Sequence, residues 1–146
     1  MSAQDAADHA AAMLADAGMP RMPARVMMAL VGAPDGGLTA ADIGTRLGVS
    51  PAAVSGAVRY LQTAGFVRRL SRAGERVARY DLMADGFGAL MTANSPTYAR
   101  LGDFIDEIAD ENEGAPASVA RARDMAGFLR FLAIRMPELV AEWRER

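Results

Sequence analysis

Arginine carries every positive side chain of this 146-residue sequence, which holds 16 arginines and no lysine. Seven of them, Arg46, Arg59, Arg68, Arg69, Arg72, Arg76 and Arg79, fall in one stretch whose single acid is Glu75. That stretch carries +6, so the remainder of a chain of net charge −2 carries −8. A basic island in an acidic chain is the pattern of a surface for a polyanion, with the rest of the molecule held off it. An Arg-rich hairpin that merely faces water would show the same island, so charge alone leaves both readings open.

Other chemistries are thinly supplied. Cysteine is absent, which excludes disulfides, thiol nucleophiles and cysteine zinc sites. His9 is the one histidine, so a histidine-based metal site or a Ser-His-Asp set would have to rest on it, and no Gly-x-Ser-x-Gly elbow presents a serine. Gly36-Gly37 is followed by no Gly-Lys-Ser/Thr, so no phosphate loop is present. Asp103, Asp106, Glu107 and Asp110 recur at i, i+3, i+4 and i+7. They could act as ligands or bases, but a solvated helix face accounts for the same spacing. No enzyme, metal or cofactor is expected.

The elements that would position the arginines follow from the apolar pattern. Ala7, Ala10, Ala11, Leu14 and Ala17 recur at helical spacing from Asp5, and Gly18 ends that helix. A second helix is expected over 23–31, with Pro23 in its first turn. Thr39 can cap a third, in which Ile43 and Leu47 form a buried i, i+4 pair and Gly48 stops the chain. Val49 plugs the turn, Ser50 caps the next helix and Pro51 takes its first position. Two short helices about a three-residue, glycine-containing turn make a helix-turn-helix.

The helix from Pro51 to Ala64 is the most informative. Val54, Ala57, Val58 and Leu61 share one face. The other holds Ala52, Ser55, Gly56, Arg59 and Thr63, with Ala53 and Tyr60 at its margin. A helix meant only for water would carry Glu, Lys and Gln there. Small residues let the backbone approach another surface, and Ser and Arg can bond base edges or phosphates; a plain packed Ala-rich helix is the competing reading. Residues 66–70 and 77–82 read as strands around a turn at Gly74, which makes a hairpin, or wing, with Arg72 and Arg76 at its tip. Such a tip could enter a minor groove.

The C-terminal third reads as helical and acidic, with segments from Ala84 to Thr92, from a Ser95-Pro96 cap to Asn112, and from a Ser118 cap onward, and with Pro137 opening a separate last turn. Val119, Ala122, Met125, Ala126, Leu129 and Leu132 form one stripe there, while Phe128 and Phe131 point elsewhere. Two apolar faces on one helix imply a partner on each side, which a symmetric dimer would supply.

This order resembles the MarR family of transcriptional regulators over nearly the whole chain. It looks closest to the GbsR-like branch, through 18–25 (Gly-Met-Pro-Arg-Met-Pro-Ala-Arg) and the run from Val49 to Leu61. The resemblance implies a mainly α (α+β) fold, a winged helix-turn-helix with N- and C-terminal dimerisation helices. A single domain over 1–146 would then comprise a DNA-binding lobe at 23–82 and a dimerisation region at 1–18 and 84–146. It implies a homodimer that binds double-stranded DNA at palindromic operators, usually as a repressor, with release by a small-molecule effector.

Carried over by position, the DNA-binding residues are Ser50, Pro51, Ala52, Ala53, Ser55, Gly56, Arg59 and Tyr60 on the recognition helix and Arg72, Arg76 and Arg79 in the wing. Arg59 and Ser55 are the candidates for base readout, and Arg68, Arg69 and Arg79 for phosphates. Many members carry Asp-x-Arg at the wing, the Asp buttressing the Arg; here Ser71 precedes Arg72. That leaves open which wing arginine is inserted. Arg76 is favoured, with Glu75 or Asp81 as its buttress. The alternative function is a winged helix that docks an acidic protein partner without specific DNA binding. No run nears the roughly 18 apolar residues of a membrane helix, and the N-terminus has no signal-peptide pattern. A soluble, cytoplasmic protein is expected.

Overall fold

The structure, a computed structural model, describes residues 1–112 and 114–146, and of Leu90 the backbone alone. In chain order the elements are α1 (Ala3–Asp16), α2 (Arg21–Val31), β1 (Leu38–Thr39), α3 (Ala40–Leu47), α4 (Pro51–Thr63), β2 (Val67–Leu70), β3 (Arg79–Leu82), α5 (Gly86–Ala93), α6 (Ser95–Asp110) and α7 (Pro116–Arg144). They fall into two units, Met1–Phe87 and Gly88–Arg146.

In the first unit each helix start has a local cause. Ser2 caps α1 in a reciprocal box: its hydroxyl accepts from the Asp5 N–H at 3.1 Å, and its own N–H donates to the Asp5 carboxylate at 2.9 Å. The α2 helix begins at Arg21 rather than Pro23. Pro20 is its cap residue, and Pro23 is accommodated in the first turn, where a missing N–H breaks no intrahelical bond. Thr39 and Asp42 form a second capping box on α3, and Gly48 ends that helix at φ 64°, a left-handed conformation that glycine adopts freely. Leu47 and Val49 are only half-buried, so Ile43 alone plugs this helix fully into the core.

The core of this unit joins Val26, Met27 and Leu30 of α2 to Ile43 of α3 and to Val54, Val58 and Leu61 of α4. Full burial of one such side chain stabilises the fold by about 1.5–3 kcal/mol. A small antiparallel sheet in the order β1-β3-β2 closes it, with Leu38 opposite Tyr80, and Val67 opposite Leu82. The two hairpin strands were legible in the sequence; β1 was not. At two residues it is too short for an alternation pattern, and only its pairing with β3 makes it a strand.

The second unit is dominated by α6 and α7, which pack as an antiparallel pair. A Cβ on Gly102 would lie 3.1 Å from the Ala126 carbonyl oxygen, tighter than most such contacts, so glycine lets the helices approach here without a shift, and Ala109 and Ala126 are buried along the same seam. Arg123 bridges Asp106 and Asp110, and Arg130 bridges Asp103 and Asp106, across the helix pair.

Three expectations are corrected here. Only Asn94 separates α5 from α6, and Ser95 lies inside the helix, its hydroxyl donating to the Met91 carbonyl, so it is no cap. The last helix begins at Pro116, which places Ser118 in its first turn as an acceptor for Arg121. And α7 runs unbroken through Pro137 to Arg144. Its flanks, Leu132-Ala133 and Glu138-Leu139, favour helix strongly, and an Arg135–Glu138 pair spans the proline.

Candidate nucleic-acid interface

The α4 helix owes its exposed end to local chemistry. The Ser50 hydroxyl accepts from the Ala53 N–H at 3.2 Å, and Pro51 fills the first helical position. Burial of Val54, Ala57, Val58 and Leu61 fixes the rotation of the helix. That rotation turns Ser50, Pro51, Ala52, Ser55, Gly56, Arg59 and Tyr60 outward, with Ala53 half-buried at the edge. Beyond its own helix backbone and chain neighbours, no atom lies within 4 Å of the place a Gly56 Cβ would take, so the space there is open to another body.

Ser55, Arg59 and Gln62 of α4 line one groove with Arg69 of β2 and Tyr80 of β3. Arg59 and Arg69 form no hydrogen bond or ion pair among the described residues. Two free guanidinium groups, a hydroxyl and an amide along one groove are a donor set suited to phosphates and base edges. Gln62 is the addition the structure makes. The signal was in the sequence, since Ser55, Arg59 and Gln62 stand at i, i+4 and i+7.

The remaining arginines are placed differently. Successive residues of a strand point to opposite faces, so Arg68 does not share the Arg69 groove; it faces Asp81, its cross-strand neighbour, at 3.8 Å. Arg79 is half-buried and turned inward: its Nε and Nη2 donate to the two Glu75 oxygens at 3.0 and 3.4 Å, and its Nη1 to the Gly37 carbonyl at 3.4 Å. Arg72 donates to the Asp35 carbonyl at 3.4 Å. Arg76 is exposed and has no hydrogen bond or ion pair among the described residues. The expected buttressing of Arg76 by Glu75 or Asp81 is therefore corrected, because Arg79 and Arg68 occupy those carboxylates.

Electrostatics agree with the geometry. The Arg79 guanidinium holds the Glu75 carboxyl below its usual range, and Glu75 in turn raises Arg79. In the second unit the Arg123 hydrogen bond, and then that of Arg130, lowers Asp106. Asp103, Asp106 and Asp110 are thus ion-pair partners of arginines on α7. Among the described residues no group of three His, Asp or Glu side chains could hold a metal ion, and no helix is long and apolar enough to cross a membrane.

Comparison with known proteins bears on both units. Residues 17–76 match the model of the MarR family, and residues 85–146 that of MmpR5-like MarR family transcriptional regulators. A solved structure of a transcriptional regulator superposes with a TM-score of 0.81 at 21% identity, over 99% of each chain, which shows a shared fold. MepR, a transcription regulator of the Staphylococcus aureus multidrug efflux pump MepA, aligns at a TM-score of 0.46 and 20% identity, over 82% of this chain and 86% of its own. No curated protein matches the sequence.

Proposed function

We propose that this chain, which carries MarR-family transcriptional regulator domains over 17–76 and 85–146, is a sequence-specific DNA-binding repressor that works as a homodimer on palindromic operators. The observation that carries the reading is the outward face of α4: small residues about Ser55 and Arg59, with the unpaired Arg69 in the same groove. In this reading residues 23–82 are the DNA-binding lobe, and 1–18 with 84–146 the dimerisation region. Each protomer lays α4 in a major groove, and the dimer spaces the two sites by roughly one helical turn, about 34 Å, or a multiple of it. Arg59, Ser55 and Gln62 read base edges, Arg69 holds a phosphate from the same groove, Arg68 holds one from the other face of β2 on releasing Asp81, and Arg76 reaches a minor groove.

The apolar residues that the second unit leaves exposed, among them Leu101, Phe104, Ile108, Phe128, Phe131 and Ile134, are the surface a second copy would cover. A small-molecule effector would release the DNA by binding the DNA-free form more tightly, and its differential affinity limits the switch. We place the protein in the cytoplasm, where its DNA is. Within the family, the runs at 18–25 and 49–61 favour a GbsR-like branch, while 85–146 match the MmpR5-like model.

The test is fluorescence anisotropy of the purified protein on the DNA upstream of its own gene, beside an unrelated duplex, across salt. The expected result is a preference of several kcal/mol for the upstream DNA at physiological salt. Equal, weak binding to both duplexes that vanishes near physiological salt would overturn the reading for that DNA and favour a protein partner for the Arg face.

A further inference from the structure

The wing loop between β2 and β3 is tied down on both arms, and both ties meet at one carboxylate. On the β3 arm, Arg79 grips both Glu75 oxygens and the Gly37 carbonyl. On the β2 arm, Arg72 reaches the Asp35 carbonyl, with its Nη1 4.0 Å from Glu75 Oε1. The floor beneath them is the Gly36-Gly37 turn. A Cβ on Gly36 would lie 1.7 Å from Arg72 Nη2, and one on Gly37 2.1 Å from the Tyr80 carbonyl, so this pair of glycines is what lets the arginines and β3 come down onto the turn. Of this loop's arginines, Arg76, the residue after Glu75, is the one with no hydrogen bond or ion pair among the described residues.

We infer that Glu75, with Arg72 and Arg79, is a strap that fixes the wing on the Asp35–Gly37 turn and thereby sets where Arg76 is presented to DNA. Arg72 and Arg79 are positioning residues of this site, spent internally, and Arg76 is the contacting one. The inference rests on the DNA-binding reading for Arg76 but not for the strap itself. A single exposed ion pair contributes little; here one carboxylate serves two guanidinium groups that also hold two backbone carbonyls. The effect is expected in the local order of the loop rather than in global stability.

The sign of one substitution separates this from simple charge. Glu75→Gln removes a negative charge from a DNA-facing loop, so electrostatics alone makes it bind DNA more tightly. A strap makes it bind more weakly. In the full-length protein, with folding checked by circular dichroism, limited trypsin digestion followed by intact mass reads the loop directly, since loosened loop tips are where nicking concentrates. Glu75→Gln is expected to speed cleavage after Arg72 or Arg76 by about three- to tenfold, the scale of one or two such pairs. Gly36→Ala, which strains the turn at a φ of 89° and displaces Arg72 from its seat, should do the same from the other side. In anisotropy, Arg76→Ala should weaken binding in the wild type and change little in the Glu75→Gln background.

Unchanged cleavage in both variants would overturn the strap, whatever the DNA result. Faster cleavage with an undiminished Arg76→Ala effect would overturn its role in presenting Arg76. If the wild type prefers no duplex, the DNA reading falls and with it the presentation of Arg76, while faster cleavage would still uphold the strap.

Discussion

Arg59 and Arg69 share a groove, and neither has a hydrogen bond or ion pair among the described residues, yet they should fail differently when removed. Arg59 projects from the helix whose small residues permit close approach. Arg59→Ala should cost about 1–3 kcal/mol on the preferred duplex and relax specificity at one or two base pairs. Arg69 sits on β2, beside the helix that carries the readout residues, and is assigned to a phosphate. Arg69→Ala should weaken binding to all duplexes alike and lower the slope of log affinity against log salt by about 1. Anisotropy titrations over a set of single-base variants, at several salt concentrations, distinguish the two. A uniform loss from Arg59→Ala would remove it from base readout.

At the scale of the element, α3 depends on its cap. The Thr39 hydroxyl accepts from the Asp42 N–H, and the Thr39 N–H donates to the Asp42 carboxylate, both at 3.1 Å. Thr39→Ala should destabilise the first unit by about 1 kcal/mol in denaturant titrations at neutral pH. Asp42 adds a pH dependence of known sign. The Thr39 backbone N–H, and after it the Thr39 side chain, lowers its carboxyl below the ordinary range. Its contribution is present above the unfolded carboxyl value and is lost as pH falls through the depressed folded one. Thr39→Ala keeps the backbone donor and removes only the side chain, so the gap between wild type and variant should narrow by the side-chain part over that acidic window; a gap that widens there would contradict the cap.

Helix α7 makes the opposite point, because Pro137 persists inside it. An interior proline removes one hydrogen bond and crowds the preceding turn. Pro137→Ala should raise the thermal midpoint measured by circular dichroism, and a lowered midpoint would mean that the proline is required by its surroundings.

For the whole molecule, exposed apolar area is the deciding quantity. Ile108 and Phe128 are 60% and 59% exposed in the single chain. An obligate partner surface explains such residues better than water does. Ile108→Glu with Phe128→Glu should shift sedimentation from dimer to monomer and abolish the tight, two-site DNA binding while leaving weak single-site binding. A variant that remains dimeric would place the dimer interface elsewhere.

The sequence by itself determined the helix-turn-helix and its orientation. Caps at Thr39 and Ser50, the stop at Gly48 and the apolar spacing of α4 are local signals, set within a few residues, and the same spacing fixes which face of α4 turns outward. It also carried the position of Gln62, which that spacing implies. What it did not carry depended on residues distant along the chain. The β1 strand exists because Leu38 and Thr39 pair with Tyr80 and Arg79. The inward turn of Arg79 and the seat of Arg72 depend on a turn some 40 positions earlier. The acids at 103, 106 and 110 became structural only when α7 brought Arg123 and Arg130 across them. Spacing within a few residues fixes a helix and its faces, because helix geometry repeats within a turn. The partner of a charge is fixed only when folding brings distant segments together, so the six arginines from Arg59 to Arg79 could be sorted into struts and free contacts only in three dimensions.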